Sequence, residues 1–260
     1  MCEIFNYADD NTLFCHGTSL DVIKSDLQNI SSKMISWFEQ NYMKANAEKF
    51  KFIIFDKKCE YTNDHIEIDN KMVQNDCNVK LLGLNIDCRL NFTYHVNELC
   101  SKAGRKLKVL ARLSKTVDTE SKLMLFHSFI LSQFEYSSML WHFCKSDDTK
   151  MVEKIQKQAL RYVFNDYDSS YSELLQKCVR QLMYTNRLRN MIDFVHKCMT
   201  GNVPKYLENM FVPNTCSRLK RKGTQLKLDK FNTIKYGSQS LRHQACKLWN
   251  DFCEIGRAHV

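Results

Sequence analysis

Apolar and polar positions divide the chain into a short strand-rich beginning and a long helical remainder. Residues Cys2 to Tyr7 and Asn11 to His16 read as two short strands around Ala8-Asp9-Asp10, a β-hairpin with acidic residues at its tip. Leu20, Ile23, Leu27, Ile30, Met34 and Trp37 with Phe38 then recur at steps of three and four, the period of an amphipathic helix. Lys24, Asp26, Gln28 and Lys33 form its wet face. Ser19 or Thr18 is placed to cap its first turn, and Asp21 suits the positive end of its dipole. Phe50 to Phe55 is an aromatic and β-branched run that predicts a buried strand. Ile66 to Ile68 predicts a weaker strand after a polar turn at Tyr61 to Asp64. Val79 to Ile86 predicts another, in which Gly83 marks a bulge or the close approach of a second backbone.

Beyond Asn91 the period is helical. One helix is marked by Val96, Leu99, Ala103, Leu107, Leu110 and Leu113, the next by Leu123, Phe126, Ile130 and Phe134. A third carries Met151, Ile155, Ala159, Tyr162 and Val163. A fourth carries Leu188, Ile192, Val195 and Met199 and is stopped by Gly201 and Pro204. Leu241, Ala245, Leu248 and Trp249 suggest a last short helix. Thr215 to Lys235 is polar, with Arg218, Lys220, Arg221 and Lys222 close together, and reads as a loop or linker. The expected fold class is therefore α+β: an antiparallel α+β region over 1–91, then helical regions over 92–165 and 166–254.

Composition narrows this picture. A chain of 260 residues with 44% hydrophobic and 12% aromatic content can bury a core, and 7 Gly with 2 Pro favour long helices over a many-turned sandwich. A net charge of +9 suits a phosphate-rich partner, although a basic protein need bind nothing anionic. The 12 Cys include no C-x-x-C and no compact Cys/His cluster, and no signal peptide is evident. They read as small apolar core residues of a reducing intracellular compartment. No run of eighteen apolar residues exists, so no membrane span is expected. Ile255-Gly256-Arg257-Ala258-His259-Val260 resembles a translated sequencing-library adapter and is set aside.

The candidate chemistry lies at the hairpin tip. Adjacent carboxylates on a tight turn repel one another unless a cation sits beside them. Mg²⁺ suits that role, because it prefers oxygen ligands and is commonly shared between carboxylates and substrate phosphates. Taken alone, Ala8-Asp9-Asp10-Asn11 is more often a plain turn, since Asp and Asn are ordinary turn residues.

The wider pattern resembles the reverse transcriptases of non-LTR retrotransposons, of the jockey and CR1 kind. Tyr7-Ala8-Asp9-Asp10 followed by Asn11-Thr12-Leu13-Phe14 looks like the family's YADD hairpin, and the helix ending in Trp37-Phe38 follows as it does there. Asn46 to Lys49 resembles the next block, departing from it in Ala45 and Phe50. Leu82-Gly83-Leu84-Asn85-Ile86-Asp87, then Leu90, Phe92 and His95, looks like the primer grip and its exit into the thumb. Gln133-Phe134-Glu135-Tyr136, Trp141, Gln156 to Arg161, Pro204-Lys205-Tyr206-Leu207 and Leu248-Trp249-Asn250 resemble elements further on, in the right order.

The resemblance implies that 1–91 is the C-terminal part of a polymerase palm and that 92–165 is thumb-like. It implies Asp9 as a ligand of catalytic Mg²⁺ with Asp10 supporting, and Lys49 near the phosphates of an incoming nucleotide. Tyr7 and Gly83 would lie beneath the primer, and Lys102, Arg105 and Lys108 on a backbone-tracking helix. The implied partners are an RNA template and a DNA primer, with no membrane and no cofactor beyond nucleotide and metal. A further Asp on an upstream strand completes the family's metal site. None precedes Met1, so the chain by itself is expected to be an inactive fragment. The alternatives are a basic helical nucleic-acid-binding module without catalysis and a soluble helical protein with no nucleic-acid role.

Overall fold

The computed structural model describes residues 2–56, 63–178, 182–214 and 225–255. Tyr61 and Thr62 of the expected turn, the basic run Arg218 to Lys222 and residues 256–260 lie outside them. The fold is α+β, with three small antiparallel two-stranded sheets and a helical majority among the described residues. It divides into two units, Met1–Tyr94 and His95–Val260.

The first unit opens on the expected hairpin, β1 (Cys2–Tyr7) and β2 (Asp10–Cys15), with Cys2 opposite Cys15 and Tyr7 opposite Asp10. The Cys2 and Cys15 sulfurs are bonded. That departs from the reading of every Cys as a reduced core residue: strand register places these two side chains directly opposite each other, which spacing along the sequence does not reveal. Helix α1 (Leu20–Gln40) lies against β2 and against β3 (His65–Ile68). Ser19 stands at its N-cap position, but its side chain makes no capping bond. Trp37 is 54% exposed, whereas Ser31 and Ile35 are buried. The packed stripe is thus rotated toward Ser31, whose hydroxyl is satisfied by the Leu27 carbonyl at 2.7 Å.

Strands β3 and β4 (Lys71–Gln74) form a second hairpin, turned by Asp69 and Asn70, both at positive φ, as a two-residue type I′ connection requires. Phe52, Ile66 and Val73 make a small core with Leu27, Phe50, Ile54 and Ile68 packed on it. Phe50, Phe52 and Ile54 of the run Phe50–Phe55 fill this core, yet the run is not a strand. It makes one bridge at Phe52, and Asn75 completes it by accepting from the Ile54 N–H at 2.9 Å. Val79–Ile86 is likewise not one strand. It is a third hairpin of β5 (Asn78–Leu81) and β6 (Leu84–Asp87), turned at Leu82 (φ 47°) and Gly83 (φ 85°). A positive φ costs glycine nothing, so Gly83 serves a reversal and not the expected bulge.

The second unit is helical, entered through α2 (Thr93–Leu113), which buries Val96, Ala103, Leu107 and Leu110. Next come α3 (Thr119–Leu125), a π-helical turn over Phe126–Leu131 and α4 (Ser132–Glu135). The wider turn accommodates two successive steps of four, Phe126 to Ile130 to Phe134, and all three side chains are buried. Asp118 caps α3 through the Ser121 N–H at 2.9 Å. Helix α5 (Ser146–Phe164) buries Val152, Ala159, Leu160 and Val163, and Asn165 ends it in the left-handed conformation. Helix α6 (Tyr171–Lys177), which periodicity missed, is short and held by a Ser170–Glu173 capping box.

Helix α7 (Met183–Met199) contributes Val195 and Cys198 to a separate core with Phe211, Leu226, Ala245 and Cys246. Helix α8 (Lys205–Glu208) is one turn, and α9 (Leu241–Ile255) is longer than expected and takes in Ile255 of the discounted tail. Leu226 falls in the expected linker but is buried. The Asn250 amide clamps it, accepting from its N–H at 2.8 Å and donating to its carbonyl at 3.0 Å.

Candidate metal and nucleic-acid sites

At the tip of the first hairpin, Ala8 and Asp9 make a two-residue reversal, with Ala8 at φ 52°. Asn11 braces it by donating from Nδ2 to the Asp9 carbonyl at 3.2 Å. Asp9 and Asp10 are both exposed on this narrow support. Tyr7 beside them is 68% exposed. Lys49, at the end of a short 3₁₀ turn over Ala47–Lys49, is also exposed. Among the described residues no group of three or more His, Cys, Asp or Glu side chains is gathered as a metal site. Two neighbouring carboxylates and nothing further suit a hard, water-rich cation such as Mg²⁺ held from one side only.

A different chemistry gathers on α2 in the second unit. Leu99, Lys102, Arg105, Lys106, Gln133 and Tyr136 line an open cleft of about 430 Å³. Lys102 is paired with Glu98 one turn before it, at 2.5 Å. Arg105 donates to the Ser101 hydroxyl at 3.3 Å. The Lys106 ammonium lies 5.7 Å from the centre of the Phe129 ring, a cation–π contact that ties α2 to the π-helical turn. Of the expected backbone-contacting residues, the cleft thus brings together Lys102 and Arg105. Lys108 is exposed and is not part of its lining. Lys106, Gln133 and Tyr136 are additions. The spacing of four between Lys102 and Lys106 was legible; the approach of Gln133 and Tyr136 to α2 was not.

Sequence reasoning also missed three structural polar sites. Asp87 at the end of β6 accepts from the backbone N–H groups of Arg89 (3.0 Å), Asn91 (2.9 Å) and Phe92 (2.7 Å), shaping the loop that feeds α2. Arg187 on α7 is buried, 4.7 Å from the Trp141 ring centre, and donates from Nε to His142 Nδ1 at 3.4 Å. Its Nη1 and Nη2 are buried with no hydrogen-bond partner among the described residues. Burial, and secondarily the Arg187 charge, push the His142 pKa down to about 4, so this ring is neutral and accepts from the guanidinium. Glu153 of α5 receives the Tyr171 hydroxyl at 2.7 Å and the Tyr184 N–H at 2.8 Å, which anchors the start of α7. Burial raises the thiol pKa of Cys100 to about 11 and also raises those of Cys198 and Cys246, as expected of cysteines used for packing.

No described helix is long and apolar enough to cross a membrane. No family model matches the chain, and no solved structure does. It is similar to a curated Drosophila melanogaster protein described as a probable RNA-directed DNA polymerase from transposon BS. The two are 20% identical over 161 residues, which is 60% of this chain and 18% of that protein. The chain therefore spans less than a fifth of the length of the relative it matches. The likeness supports a reverse-transcriptase-like origin.

Proposed function

We propose that the chain is part of the RNA-directed DNA polymerase of a jockey- or CR1-like non-LTR retrotransposon, comprising the later palm (1–91), a thumb-like region (92–165) and a helical C-terminal region (166–254). The observation that carries this reading is the pair Asp9 and Asp10, raised on a tight hairpin tip and followed by helix α1, in a chain with polymerase-like sequence. In the intact parent, Asp9 and Asp10 would hold Mg²⁺, which neutralises phosphate charge during nucleotidyl transfer. Lys49 would approach the nucleotide phosphates, Tyr7 and Gly83 the primer, and Lys102, Arg105 and Lys108 the backbone of an RNA template paired with a DNA primer.

Two exposed carboxylates with no third ligand among the described residues do not clamp a metal pair from both sides. The chain alone is accordingly inert as a polymerase. Primer extension on an RNA template with Mg²⁺ tests this. No extension is expected from the chain, and extension is expected once an upstream polymerase segment supplying a further carboxylate is joined to it. The gain should be lost in Asp9→Asn. Extension by the chain unaided refutes the inactivity, and a joined protein indifferent to Asp9→Asn refutes the metal role.

A second reading, a nucleic-acid-binding module without catalysis, is favoured by the basic cleft on α2, which lies wholly within the helical unit.

A further inference from the structure

We propose that the cleft on α2 binds an unpaired nucleic-acid strand. One base stacks on Tyr136, and Arg105, Lys106 and Lys102 meet the flanking phosphates. This deepens the second reading above and rests on it, but it does not involve the acidic hairpin.

The argument begins with helix geometry. Lys102, Arg105 and Lys106 stand three and four positions apart and so share one face of α2. That face flanks the buried stripe of Ala103, Leu107 and Leu110, with half-buried Lys106 at the border between them. Across the cleft, α4 contributes Ser132 and Gln133 to the lining and Tyr136 follows directly after it; the exposed Glu135 of α4 is not part of the lining. Tyr136 is 53% exposed and lines the cleft; Phe129 is 51% exposed and already carries Lys106 over its face. Cations interleaved with accessible aromatic faces are what a single strand uses, because its phosphates and its unstacked bases are offered together. A duplex hides its base faces and presents phosphates alone.

Size points the same way. A cleft of about 430 Å³ is of the order that seats one small-molecule-sized group. It can take a splayed nucleotide and cannot enclose a double helix. Two further features bear on the ligand. Gln133 donates from Nε2 to the Phe129 carbonyl at 2.6 Å, while its Oε1 is buried without a partner among the described residues, an acceptor at the cleft wall that a base N–H or a water would complete. Glu98 holds Lys102, so a phosphate there must share that ammonium with a carboxylate, and Arg105 and Lys106 supply most of the net attraction.

The test uses the whole 260-residue chain. Fluorescence anisotropy with labelled oligo(dT), labelled oligo(rU) and a blunt duplex of equal length, in EDTA, gives the affinities. Single strands should bind more tightly than the duplex, and comparison of dT with rU shows whether the sugar matters. Tyr136→Leu should weaken single-strand binding roughly 5- to 150-fold, the loss of one stacked base, and leave duplex binding unchanged. Tyr136→Phe, which keeps the ring, should bind like the parent. Arg105→Gln with Lys106→Gln should flatten the salt dependence by roughly 1.4 in log–log slope, two phosphates' worth. Circular dichroism and thermal melting check that each variant folds; should Tyr136→Leu not fold, the charge pair and the strand-versus-duplex ratio still decide. Equal affinity for strand and duplex, or a Tyr136→Leu protein that binds like the parent, overturns the single-strand assignment but leaves a basic binding surface. No binding to any probe overturns the binding-module reading as well.

Discussion

The two units carry their chemistry on very different supports. In the first, Asp9 and Asp10 ride a two-stranded ribbon whose Ile4, Phe5, Tyr7 and Phe14 are each more than two-fifths exposed. An isolated two-stranded hairpin is marginal in water, and this one is braced by α1 against β2 and by the Cys2–Cys15 bond. In the second, Arg105 and Lys106 project from a helix whose other face is packed, in a unit where Trp141, Val152, Ala159, Leu160 and Val163 are fully buried. The comparison teaches that exposed charge says little about a site until the packing behind it is known. A rigid backing pre-positions a ligand contact, whereas a ribbon leaves its carboxylates to be ordered by something else.

The sharpest way to break this contrast is to remove core from each side. Trp141→Ala should destabilise the helical unit by about 3–5 kcal/mol, whereas Phe5→Ala on the ribbon should cost within about 0.5 kcal/mol. Chemical denaturation of both variants measures this, and equal losses would mean that the ribbon is packed after all. Reduction, or Cys15→Ser, should come next. Freeing a cross-link that closes a loop of this length removes roughly 3 kcal/mol from the ribbon. Amide exchange should then accelerate from Cys2 to Cys15 and stay unchanged in α5 and α7.

The smallest of the three effects is on pH. His142 has a folded pKa near 4 because it is buried beside Arg187, and its unfolded value is 6.5. Between these values the unfolded chain binds the proton and the folded one does not, so stability falls as pH drops. The contribution is complete above pH 6.5, and about 2 kcal/mol of it is gone by pH 5. Denaturation midpoints of the helical unit should show this slope, and His142→Asn should flatten it without altering the behaviour of the ribbon.

Much of this architecture is written in local patterns. The hairpin around Ala8-Asp9, α1, α2, α5 and α7 each follow from a period of two or 3.6 residues with recognisable ends, because one face of each must be dry. Where local pattern misled, a contact distant in sequence was responsible. Phe50–Phe55 has the composition of a strand, but its polar backbone is partly satisfied by Asn75, so burial came without a ladder. Val79–Ile86 is mostly apolar, interrupted by Lys80 and Asn85, and its reversal at Leu82-Gly83 shows in the backbone angles. Lys122 reads as a surface residue, yet it is buried with its ammonium on the Ser114 carbonyl at 3.1 Å.

The amino-acid order by itself therefore determined the α+β class, the acidic reversal between two strands and the basic character of one face of α2, since each depends on neighbours within a few positions. Only the tertiary structure decided that Cys2 meets Cys15, that Arg187 stacks inside the helical unit and that Tyr136 and Gln133 close a cleft over Arg105 and Lys106. Those pairings join residues tens of positions apart, or across a strand register, and nothing in a local period specifies which distant surfaces must touch to exclude water.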